Sequence, residues 1–172
     1  CLIKRTVFRQ FCGGETIQGS MVTAEKLARS GVGTILDYSA EGQDDEASLD
    51  ANAEETLRTI AAANGDPAIP FSVFKPTGMA RMEIMEAVSA GRNMSAQDAT
   101  AWEHAQRRVH RICEAAAAAD VPLLVDAEES WIQPAMDGMV QAMMQRFNSQ
   151  KALIFNTVQL YRHDRLAVTR EQ

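Results

Sequence analysis

Four short apolar runs, each followed by a long helical pattern, limit the folds open to this chain more than any other feature. The runs lie in TILDYSAEG, FSVFKPTG, LLVDAEES and LIFNTVQLY, near residues 32–38, 69–75, 121–126 and 152–159. A strand buried on both faces reads as an uninterrupted apolar run, and alternation with helices requires parallel strands joined by right-handed crossovers. Each run closes on a lone polar or charged side chain: Asp37, Lys75, Asp126 and Gln159. Parallel strands place their C-terminal residues in one shared mouth, which is where ligands bind in α/β proteins.

The strand ends recur at intervals compatible with β/α units of roughly thirty residues or more, eight of which close a barrel of ~250 residues. The expected fold is a parallel (β/α)8 TIM-type barrel, of which residues 1–172 supply about the first four β/α units. An open doubly wound sheet is the alternative. It calls for a glycine-rich phosphate turn after the first strand, and Asp37-Tyr38-Ser39-Ala40-Glu41 has no glycine.

Helix signals fill the gaps between the runs. Residues 1–30 form a lead-in segment with a Gly13-Gly14 turn and a short helix in MVTAEKLARSG, with Thr23 as N-cap and Gly31 as its stop. Leu49, Ala53, Leu57 and Ile60 share a helical face after the acidic patch Glu41 to Asp50, and Gly65-Asp66-Pro67 ends that helix. Pro70 is tolerated at the start of the second strand. A helical stretch in MARMEIMEAVSAG precedes a longer helix from Ser95 to Ala119, which opens on a capping-box-like Ser95 and Asp98. The alanine tract near its end suits close helix packing. A helix from Trp131 to Phe147 carries Pro134 in its first turn, and QLYRHDRL begins another.

A net charge of -6 excludes a nucleic-acid-binding surface of the nonspecific kind, which needs a basic face. The densest basic cluster, Arg107, Arg108, His110 and Arg111, reads as a solvated helix face. Cys1, Cys12 and Cys113 lack CxxC spacing and neighbouring ligands, so neither zinc nor a disulfide framework is expected, and Cys113 reads as a core residue in a reducing compartment. No apolar stretch approaches a membrane span. The chain starts without an initiator Met or signal-peptide pattern and is expected to be a piece of something longer.

The strand-end residues leave several chemistries open. Lys75 closes an apolar strand, where a charge needs a partner; Asp37 and Asp126 are the candidates. It reads as a structural ion pair, a ligand anchor or a Schiff-base nucleophile. Asp126, on the strand itself, reads first as a mouth residue holding a cation and second as part of the DAEES acidic cluster that favours the next helix through its dipole; for Glu128 and Glu129 the two readings stand level. Asn156, Thr157 and Gln159 offer amide and hydroxyl groups suited to a planar heterocycle, or to a helix cap. Trp131 and Tyr161 read as ring-stacking or packing residues, and His104, His110 and His163 as helical residues away from the strand ends.

The ordered set FCGGET, ILDYSAEG, PFSVFKPTG, RRVHRICEAA, LLVDAEESWIQPAMD and LIFNTVQLYRHDRL resembles proline dehydrogenase, in its monofunctional, mitochondrial-type branch. The resemblance implies a distorted (β/α)8 barrel with FAD at the strand ends. It implies oxidation of L-proline to Δ1-pyrroline-5-carboxylate, the first step of proline catabolism towards glutamate, with electrons passed to a membrane quinone. By position, Lys75, Asp126 and Asp37 match substrate-site residues, Glu41 an acidic gate, and Gln159 a flavin contact, with Asn156 beside it. Implied location is peripheral on the inner membrane, from the cytoplasm in a bacterium or from the matrix in a mitochondrion. In the family a fifth strand with flavin-binding Arg and Lys, and a last helix with paired arginines, complete the site beyond the fourth strand. Two other functions compete: a Lys75 Schiff-base lyase on the same barrel, and a non-catalytic module that pairs through its open strand edges.

Overall fold

β-branched and aromatic residues concentrate in the apolar runs, and the chain there is extended and paired. In the computed structural model, which describes residues 6–8, 12–38 and 44–171 apart from the side chains of Val168, Arg170 and Glu171, four strands form one sheet. They are β1 (Ile35–Leu36), β2 (Phe71–Phe74), β3 (Leu123–Val125) and β4 (Ile154–Asn156), all parallel and in chain order. Each is shorter than its apolar run. The helices are α1 (Ile17–Ala28), α2 (Glu46–Ala63), α3 (Met82–Ser89), α4 (Ala96–Ala119), α5 (Gln133–Phe147) and α6 (Arg165–Glu171), with a 3-10 turn at Pro76–Gly78.

Local chemistry fixes the starts of several helices. Asp45 caps α2 by accepting from Ser48 N at 2.9 Å, and Ser95 caps α4 by accepting from Asp98 N at 3.1 Å. Ser95 also donates to Asp98 and, with Arg81, holds its carboxyl below the ordinary carboxylate range. Pro134 stands in the first turn of α5. Helix α1 corrects the sequence reading. Thr16 is the N-cap, and Thr23 lies inside the helix, where its hydroxyl donates to Gly13 O at 2.7 Å. Gly31, at φ 74°, closes the helix as expected.

Alternation along the strands divides the sheet into two faces. Leu36, Phe74, Leu123, Val125 and Ile154 are buried in the core shared with the helices. On α2, Leu49, Ala53 and Ile60 are buried, and α4 answers with Val109, Ile112, Cys113 and Ala116. Each large aliphatic side chain so buried contributes about 1.5–3 kcal/mol. Burial pushes the Cys113 thiol up to about 12, so it remains a protonated core group. On the other face Ile35, Phe71, Val73, Leu124 and Phe155 are only partly buried or exposed. The rings of Phe71 and Phe155 meet edge to face there, 5.9 Å apart.

Arg108 departs from the expected solvated cluster. It is 3% exposed and reaches back to α2, donating through Nε to Asp50 at 2.6 Å and pairing with Glu46. Its Nη1 donates to Met79 O at 3.0 Å. A basic run marks charge but not direction; helical phase turns Arg108 inward beside Val109 and Ile112.

Candidate active site

Three strand ends converge as their register requires. Phe74 pairs with Val125, so the next residues, Lys75 and Asp126, leave their strands side by side, and Asp37 leaves β1 on the other flank. Lys75 Nζ lies 3.3 Å from Asp37 Oδ2 and 3.4 Å from Asp126 Oδ2. Its side chain is 21% exposed, against 36% for Asp37 and 43% for Asp126, so the cation is the most enclosed of the three. Burial opposes its charge, but the two carboxylates outweigh that cost and raise its pKa above the ordinary 10.5. Lys75 is therefore a fixed ammonium at neutral pH.

The turn that follows Lys75 is anchored from three directions. Pro76, Thr77 and Gly78 are buried. Asn52 of α2 donates to Gly78 O at 3.2 Å, and Arg108 of α4 to Met79 O. From the end of β3, the Glu128 carboxylate accepts from Thr77 N at 2.8 Å and from the Thr77 hydroxyl. Glu128 does not serve the helix dipole: α5 begins only at Gln133, and the carboxylate is turned to the β2 turn instead. Its main-chain oxygen accepts from Gln159 Nε2 at 3.0 Å, which ties in the segment after β4. Thr157 adds a further link, accepting from Ala127 N at 2.7 Å.

An open cleft of about 890 Å³ lies at the C-terminal ends of the strands. Lys75, Glu128, Gln159, Tyr161, Arg162 and His163 face it. Arg162 forms a two-pronged pair with Asp164 at 3.1 and 2.7 Å, and its Nη1 is buried without a hydrogen-bond partner.

Sequence reasoning thus brings Asp37, Lys75, Asp126 and Gln159 to one mouth. Asn156 goes elsewhere. It alternates with Thr157, takes the buried side with Ile154, and donates to Asp137 of α5 at 3.0 Å. Glu41 lies outside the described residues. His163, expected on a helix away from the strand ends, stands in the turn between β4 and α6 and lines the cleft. Its place in a βα segment was the available signal, since such segments build the mouth of a barrel. Trp131 and Tyr161 are 55% and 81% exposed and are not packing residues.

Residues 20–172 match a family model described as proline dehydrogenase. The chain belongs to the proline dehydrogenase family. Among its relatives, the carbapenem antibiotics biosynthesis protein CarD of Pectobacterium carotovorum is 37% identical over 156 residues, covering 91% of this chain and 42% of that protein. The mitochondrial proline dehydrogenase 1 of Dictyostelium discoideum is 29% identical over 198 residues, covering 92% and 34%. The chain therefore spans less than half the length of these relatives. Among solved structures, proline utilization A from Bdellovibrio bacteriovorus, inactivated by N-propargylglycine, superposes with a TM-score of 0.78 at 14% identity, over 99% of this chain and 19% of that one. At that identity the likeness concerns the fold: the sheet and helices described above are part of a TIM-type barrel.

Proposed function

We propose that this chain carries the N-terminal wall of a proline dehydrogenase active site, in which L-proline is oxidised to Δ1-pyrroline-5-carboxylate with FAD as cofactor and a membrane quinone as final acceptor. The observation that carries this reading is the Lys75 ammonium, clamped between Asp37 and Asp126 at the mouth of the sheet. The cleft fits a flavin: the Gln159 amide and the Arg162 guanidinium line it and offer hydrogen bonds of the kind that carbonyl and ring-nitrogen edges accept. When bound, FAD supplies the hydride acceptor. Lys75 supplies a fixed positive charge for the anionic end of proline, and Asp126 and Asp37 hold that charge in place and favour a cationic ring nitrogen beside it. Gln159, oriented by the Glu128 carbonyl, supplies the cofactor-side hydrogen bonds.

Pairing with two carboxylates also weighs against the Schiff-base lyase. A nucleophilic lysine needs a depressed pKa, whereas that of Lys75 is raised.

The test uses the full-length protein. Wild type is expected to be yellow and to reduce a dye with proline. Lys75→Ala and Asp126→Ala are each expected to lower kcat/KM for proline by roughly 100-fold with flavin content unchanged. Equal losses of flavin and of activity would refute this division of roles, and a colourless, inactive wild type would refute the function.

A further inference from the structure

Behind the cleft, one carboxylate grips both ends of the loop that forms its outer wall. Residues 157–164 connect β4 to α6 and bring Gln159, Arg162 and His163 to the cleft. The residue before this loop is Asn156 and the residue after it is Arg165. Asp137 on α5 reaches both: Oδ1 accepts from Asn156 Nδ2 at 3.0 Å, and Oδ2 lies 2.8 Å from Arg165 Nη2, an ion pair whose approach angle is outside hydrogen-bond geometry. Gln133 Nε2, one helical turn earlier, donates to Oδ1 at 2.8 Å and orients the carboxylate. The arrangement is enclosed, with Arg165 5% and Asp137 17% exposed at the side chain.

Burying a guanidinium is costly, and such a pair is better suited to selecting one arrangement than to adding stability. Here the arrangement selected is loop closure. Joining the two loop ends through a single side chain removes conformations that would carry Gln159 away from the Glu128 carbonyl. None of the three residues lines the cleft, so the effect passes through the loop.

We propose that Asp137 is a positioning residue that clips the two ends of the 157–164 loop together and so sets Gln159 and Arg162 for ligand binding. Its consequence for catalysis rests on the proline dehydrogenase reading; the clip itself does not.

The test compares the full-length protein, as isolated, with Asp137→Asn, the charge-balanced double variant Asp137→Asn/Arg165→Met, and the remote core control Ile60→Val. Amide hydrogen exchange of residues 157–164 is expected to speed up roughly tenfold in both Asp137 variants while the β2 turn is unchanged, and Ile60→Val is expected to leave the loop as in wild type. With proline, kcat is expected to fall roughly tenfold at nearly constant KM, with a shifted visible flavin band. Should Asp137→Asn prove too unstable, the double variant decides. Unchanged loop exchange in the variants, or a rise spread evenly over the whole chain, overturns the clip. A wild type without proline activity removes the reaction assigned above and leaves the exchange comparison intact.

Discussion

The turn after β2 and the loop after β4 serve the same cleft by opposite means. The β2 turn is short and buried, and α2, α4 and the end of β3 each bond to it. The β4 loop is longer and mostly exposed or half-buried, with Leu160 67% and Tyr161 81% exposed. The first carries Lys75, whose charge must sit at one fixed point. The second carries Gln159, Arg162 and His163, which form the cleft's outer wall. The β2 turn is bonded along its length by neighbouring elements, whereas the β4 loop is held at its two ends and through Gln159.

Removing Arg108 should produce the largest effect. Arg108→Met leaves the Met79 carbonyl and two carboxylates without their shared donor and should cost about 3 kcal/mol in urea unfolding. A loss below about 1 kcal/mol would mean that the β2 turn does not depend on its anchors. Next comes Thr77→Val, which deletes the hydroxyl donated to Glu128 and should cost about 1–2 kcal/mol. A double-mutant cycle with Glu128→Gln should show coupling of at least ~0.5 kcal/mol, and additivity would dissolve the proposed clamp.

A third effect depends on pH. Lys75 has a raised pKa in the folded protein, so its contribution is complete below the ordinary 10.5 and is lost as pH rises through the raised value. The stability difference between wild type and Lys75→Met should thus be flat from about pH 7 to 10 and shrink beyond it. A difference that already fades near neutral pH would mean that the carboxylates do not hold the cation. Smallest of all, Leu160→Ser in the β4 loop should change stability by no more than ~0.5 kcal/mol, and a larger change would end the contrast between the two segments.

The same contrast explains what could be read in advance. Lys75, Asp37 and Asp126 were legible because a charge ending an apolar strand has few places to go, and parallel register brings such ends together. Glu128 was legible as an acid but not as the partner of Thr77, since that bond joins residues far apart in the chain. Asn156 and Thr157 look alike in sequence, yet strand alternation sends the first to Asp137 and leaves the second beside Asp126. Arg108 and Arg107 are adjacent, and helix phase alone buries one and exposes the other.

Hydrophobic periodicity by itself determined the alternation of strands and helices, the parallel sense of the sheet and the mouth at its polar ends, because these follow from local patterns and chain connectivity. Tertiary structure decided which acids hold Lys75, which arginine supports its turn, and how Asp137 closes the β4 loop. Those choices depend on distances between elements tens of residues apart, set only when the helices pack against the sheet.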